Sequence, residues 1–167
     1  MSGSYDFLVH IIAFGMLAGT FIPSYILDRK LQAEPDWGRK MYIGGLLRTF
    51  GMFVPINAGL LLITGIGNIY NRFMGSPDPW YSEGWLVAKL ICFVVLLFNG
   101  AVIARKLAMS RGMLIKALAE KSAAPDSEQK VAALNKKITM IFAIQTLLLL
   151  TILYLSVFGS GKHPGVF

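Results

Sequence analysis

One histidine, His10, lies inside a run of apolar residues, 7–27, long enough to cross a bilayer, and its imidazole is the first place to look for chemistry. An ionisable side chain in a span is costly unless it faces protein or water, which makes it a functional candidate by default. A second such group is Lys89, in the apolar run 85–103. Each stands about one turn inside the same end of its helix, at roughly 1.5 Å of rise per residue, so the two share a layer. Asn68 closes the run 49–70 at that end and Arg72 stands just beyond it, bordering the same polar, positively charged pocket. A neutral imidazole can bind haem iron or handle a proton, and nearby Lys or Arg groups suit haem propionates, a porphyrin carboxylate or another anion. The same residues also allow a plainer reading, in which His10 bonds a neighbouring helix and Lys89 snorkels to the headgroups. Both readings stand on the sequence.

The elements that must position these residues follow from composition. The chain has 167 residues, 55% of them hydrophobic, with a mean hydropathy of +0.60, which is too apolar for an ordinary soluble domain. Four apolar runs, 7–27, 49–70, 85–103 and 138–158, each have the ~20 residues a helix needs to span the hydrocarbon core. An all-α, integral membrane four-helix bundle in one domain, 1–167, is expected. The net charge of +7 does not indicate nucleic acid, because the basic residues cluster at span ends and in two connecting segments without interleaved aromatics. One segment holds Arg29, Lys30, Arg39, Lys40 and Arg48; the other holds Arg105, Lys106, Arg111, Lys116, Lys121, Lys130, Lys136 and Lys137. By the positive-inside rule both are cytoplasmic, giving N-out and C-out termini and helical extensions on the cytoplasmic side of a bacterial inner membrane.

The first run lacks a basic leader and is expected to remain in the mature protein. Cys92 is the single cysteine and lies in a span, so there is no disulfide framework and no Cys-rich metal site. No methionine- or histidine-rich stretch marks a copper pathway. Ser4, Asp36 and Ser82 read as N-caps of successive helices, Pro55 as a kink in the second, and residues 122–127 as a break before the fourth. Gly15 and Gly19, spaced for close helix approach, point away from His10; they either pack within the bundle or form a contact with a second copy or a larger complex. Asn57, Asn99 and Gln145 fall at one deeper level and read as structural glue, hydrogen-bonded between helices.

The run HIIAFGMLAGTFIP from His10, LLRTFGMFVP ending at Pro55, WLVAKL containing Lys89 and NGAVIARKLAMSRG from Asn99 resemble the successive spans of HemJ-type protoporphyrinogen oxidases and the related CopD-like small four-span families. The resemblance covers nearly the whole membrane portion, through short motifs. It implies a bundle that binds haem b and removes hydrogen from protoporphyrinogen IX, with electrons leaving to quinone. His10 would be the haem ligand, and Arg48 and Lys89 the buried basic residues. Where such proteins show His-Gly in the third span this chain has Asn99-Gly100, so the resemblance supplies no second histidine there. A five-coordinate haem, another axial ligand and no haem at all remain open. The other class of function compatible with the sequence is a non-catalytic accessory subunit of a larger membrane complex.

Overall fold

The computed structural model describes residues 2–159, and these form four long helices with no strand among them. α1 is Ser2–Ala33 and α2 is Trp37–Phe73. α3 runs unbroken over Gly84–Ala119, and α4 is Ser127–Phe158. Each carries an apolar stretch long enough to cross a membrane. At ~1.5 Å per residue they are about 50 Å long, well beyond a ~30 Å hydrocarbon core, so each span continues as helix past the membrane boundary. Most large apolar side chains of the spans face outward, as expected where lipid is the solvent.

The connections are short and chemically specific. Asp36 ends the α1–α2 turn and its Oδ1 accepts the Arg39 N–H at 2.7 Å, the expected N-cap. Two other expected caps are different. α1 already begins at Ser2, ahead of Ser4. Ser82 belongs to a 3₁₀ turn, Trp80–Ser82, where its hydroxyl donates to the Pro79 carbonyl at 2.7 Å. Glu83 occupies the cap position of α3 without capping it, because its carboxylate accepts instead from the Trp85 indole N–H at 2.7 Å. The break after α3 is a Schellman turn: Ser122 N–H donates to Ala117 O and Lys121 N–H to Leu118 O, with Lys121 at φ +56°.

α1 and α2 form an antiparallel hairpin, α2 packs on the C-terminal half of α3, and α3 packs along α4. Phe142 of α4 meets Phe21 and Tyr25 of α1 edge-on, which closes the ring of four. One apolar core, Ala13, Leu17 and Leu61, lies toward the His10 end, and a second, Leu31, Ile115 and Val131, lies toward the end rich in Lys and Arg. Between α1, α3 and α4 sits a buried polar cluster. Arg111 pairs with Asp28 at 2.6 Å, and both are almost fully buried, 4% and 1% exposed. Arg111 also donates to Asn135 Oδ1 at 3.0 Å, and Gln32 donates to Asp28 Oδ2 at 2.6 Å and to Thr139 Oγ1 at 3.2 Å.

α3 contains a π-helical turn, Asn99–Ala104, that explains how this cluster is reached. In an unbroken α-helix, Asn99 and Arg111 would point about 120° apart; the one residue absorbed by a π turn brings them within about 20°. Both are buried on the inner face. Arg111, grouped by charge with the solvated loop cations, is therefore an interior residue. Lys40 is also buried, its ammonium 4.2 Å from the centre of the Trp37 ring. Arg111→Leu should cost about 3–5 kcal/mol, because it leaves the Asp28 carboxylate buried and uncompensated, whereas Asp28→Leu combined with Arg111→Leu should recover most of that loss. Helicity followed through a detergent unfolding titration measures both; equal destabilisation by the single and double changes would remove the pair from its organising role.

Candidate functional site

α1 and α2 meet at the site through their side chains. His10 Nδ1 lies 2.8 Å from the Thr64 hydroxyl oxygen, and that hydroxyl lies 2.7 Å from the carbonyl of Leu60, one turn back on α2. A threonine hydroxyl has a single hydrogen, and in a helix it goes to the carbonyl four residues earlier. Thr64 therefore accepts from His10, so Nδ1 carries the hydrogen and, in the neutral ring, Nε2 holds the lone pair. Gly65 leaves the α2 backbone bare beside the ring, and a Cβ there would stand 3.6 Å from His10 Cε1. The imidazole thus lies flush on α2.

Lys89 of α3 is half-buried and near enough to His10 for its charge to act on the ring. Thr64, Asn68 and Arg72 recur every fourth residue and so line one face of α2 toward the same end. Asn68 is half-buried. Arg72 is exposed, its guanidinium 5.3 Å from the centre of the Trp85 ring at the start of α3. Arg48 is not part of this group: it is exposed on α2, about 24 Å along the helix from Thr64. Gly159 closes the same end from α4. A Cβ on it would come within 2.9 Å of Trp85 Cβ, an approach only glycine allows.

No protein-family model, curated protein or solved structure matches the chain. The site is therefore read from its own chemistry. Among the described residues no three His, Cys, Asp or Glu side chains converge, so a bare metal ion would lack a protein cage. A porphyrin brings four nitrogens of its own and asks the protein for one or two axial donors, which one imidazole Nε2 can begin to supply. Two shallow grooves on α3, one beside Trp80 and Val87 and one around Arg105, include neither His10 nor Lys89.

The deeper amide layer departs from expectation. Asn57 is 1% exposed and neither atom of its amide has a partner among the described residues; Asn99 Nδ2 is likewise unpartnered. Gln145 packs its Nε2 against Gly100, 3.3 Å from where a Cβ would stand. These amides are buried but do not hydrogen-bond one another across the bundle. Asn57 shares its face of α2 with Ala58 and Leu61, and burial of that apolar stripe sets its place. Gly15 and Gly19 also differ from ordinary packing within one bundle: both are exposed, with open space where a Cβ would go.

Thr64 was invisible in the sequence, one hydroxyl among several in the spans. Its only signal is the pairing of a hydroxyl with the following Gly65 at the depth of His10. Replacing Thr64 by valine keeps the shape and removes the acceptor. In ¹⁵N-histidine-labelled protein, with the His10 signal identified by its loss in His10→Gln, the neutral wild-type ring should show a protonated Nδ1 and Thr64→Val should lose that preference. An unchanged tautomer in Thr64→Val would show that the hydroxyl does not hold the hydrogen.

Proposed function

We propose that the chain is a membrane-embedded, haem-associated redox protein similar to the HemJ-type protoporphyrinogen oxidases, in which His10 would hold the haem iron. The observation that carries this reading is the hydrogen-bond chain from His10 Nδ1 through Thr64 to the Leu60 carbonyl, which leaves Nε2 as the donor. Metal-bound histidines characteristically have the other ring nitrogen held in this way. Haem, when bound, supplies one-electron redox chemistry whose potential the protein tunes. The chain's own residues do the rest: Thr64 fixes the ring's orientation, Lys89 provides a half-buried cation beside it, and Asn68 and Arg72 extend a polar stripe toward the membrane surface. Those cations suit propionates or the carboxylates of a porphyrinogen substrate, with quinone as the electron acceptor. The donor chemistry fits haem; a preformed slot for the macrocycle does not open beside His10 in either groove.

The exposed, uncovered Gly15 and Gly19 favour a second reading, a non-catalytic subunit that packs on a larger membrane complex or a second copy through that face of α1. A Soret band in purified protein separates the two. His10→Gln keeps a hydrogen-bonding side chain but is a poor iron ligand, so the protein should insert and fold while the band disappears. Lys89→Met should weaken carboxylate binding and leave the iron ligand in place. Wild-type protein without a chromophore, or His10→Gln with an unchanged spectrum, overturns the haem assignment in favour of the subunit reading.

The same proposal places the basic end of the bundle in the cytoplasm of a bacterial cell, with both termini outside. Ser76→Cys should react with an impermeant thiol reagent in intact cells and Ser122→Cys should not. The reverse pattern inverts the topology.

A further inference from the structure

The C-terminal half of α3 carries a stripe that no other part of the chain covers among the described residues. Its inner side is taken by Asn99, Arg111 and Ile115, which are buried. On the outer side Val102, Arg105, Lys106, Met109 and Met113 line a groove of about 390 Å³, open along its length. Arg105 and Lys106 are exposed and are the first charges α3 presents after Lys89. Among the described residues neither forms an ion pair with a carboxylate. Met109 and Met113, 58% and 66% exposed, follow them.

The order of these groups along the helix matches the layering of a bilayer leaflet. Val102 and the exposed Phe98 precede the cations and lie in the apolar span, where an acyl chain would run. The two cations stand where the span ends, at the depth of lipid phosphate. Met109 lies about 6 Å further along the helix, still within the interfacial layer that thickens the ~30 Å core to ~40–45 Å. A soluble anion would satisfy the cations but leave Val102 and Phe98 on the span side uncovered. A lipid with two neutralised charges in its headgroup would cover the apolar groups but leave the cations without a net counter-charge.

We infer that this groove is a binding site for an anionic phospholipid, its phosphate on Arg105 and Lys106 and an acyl chain along Val102 and Phe98. The site lies at the opposite end of the bundle from His10 and does not depend on what His10 binds. Juxtamembrane cations gain roughly fivefold in affinity each for anionic lipid, so removing both should lower it roughly 25-fold.

The test uses the full chain in phosphatidylcholine nanodiscs titrated with fluorescent phosphatidylglycerol. Wild-type protein should hold phosphatidylglycerol in preference to phosphatidylcholine, and Arg105→Gln with Lys106→Gln should lose that preference. The control is Lys121→Gln with Lys130→Gln, which removes the same charge from exposed positions around the turn between α3 and α4, well beyond the span ends, and should change retention less than about twofold because the attraction falls off within a Debye length. Both pairs are exposed, and circular dichroism confirms that each variant is folded. Equal losses in the two variants would reduce the effect to diffuse surface charge, and competition by inorganic phosphate at equal concentration would make this a phosphate site. No preference in the wild type would end the proposal.

Discussion

The bundle depends on one ion pair. Asp28 and Arg111 meet at 2.6 Å with almost no exposure, and each charge alone would cost several kcal/mol to withdraw from water. That cost is offset only while both are together and their remaining donors and acceptors are met, as they are by Gln32 and Asn135. A slip of one residue between α1 and α3 would part them. The pair therefore fixes the register of these helices more tightly than apolar contacts in lipid can, since lipid tails are as apolar as the side chains they would replace.

Register set at that end carries to the other. Asp28 lies about 27 Å from His10 along α1, and Arg111 about 33 Å from Lys89 along α3, the π turn and the reach of long side chains absorbing the difference. The pinned end thus leaves Lys89 near enough to His10 for its charge to act there. The same depth count puts Asn57 and Asn99 at nearly one level. Yet among the described residues both atoms of the Asn57 amide and Asn99 Nδ2 remain unpartnered, and each such buried group costs about 1–3 kcal/mol. The protein thus tolerates uncompensated polarity near the middle of the bundle and sets an ion pair against it at the basic end.

Much of the architecture was legible in the sequence because lipid imposes a simple rule: twenty apolar residues make a span. Asp36 was legible as a cap because its chemistry is local. What could not be read depended on contacts distant in sequence. Asp28 sits directly before Arg29 and Lys30 and looks like one more charge at a span end, until α3 brings Arg111 to it. The π turn has no compositional mark, so the inward turn of Arg111 was hidden as well. Ser82 failed as a cap because α3 starts at Gly84, which puts Glu83 at the cap position and leaves Ser82 in the preceding 3₁₀ turn.

The chemistry open to His10 is decided by the backbone of α2. Thr64 commits its one hydrogen to Leu60 O within an apolar span, where a hydroxyl left without an acceptor would be costly. That leaves its oxygen able only to accept, and His10 must supply the hydrogen. A serine could rotate to donate in either direction, and a valine could offer nothing. The branched methyl of threonine narrows the hydroxyl to fewer rotamers and makes the helical carbonyl its standing partner. Helix geometry, one turn of α2, thus selects which imidazole nitrogen keeps its lone pair in the neutral ring, before any ligand arrives.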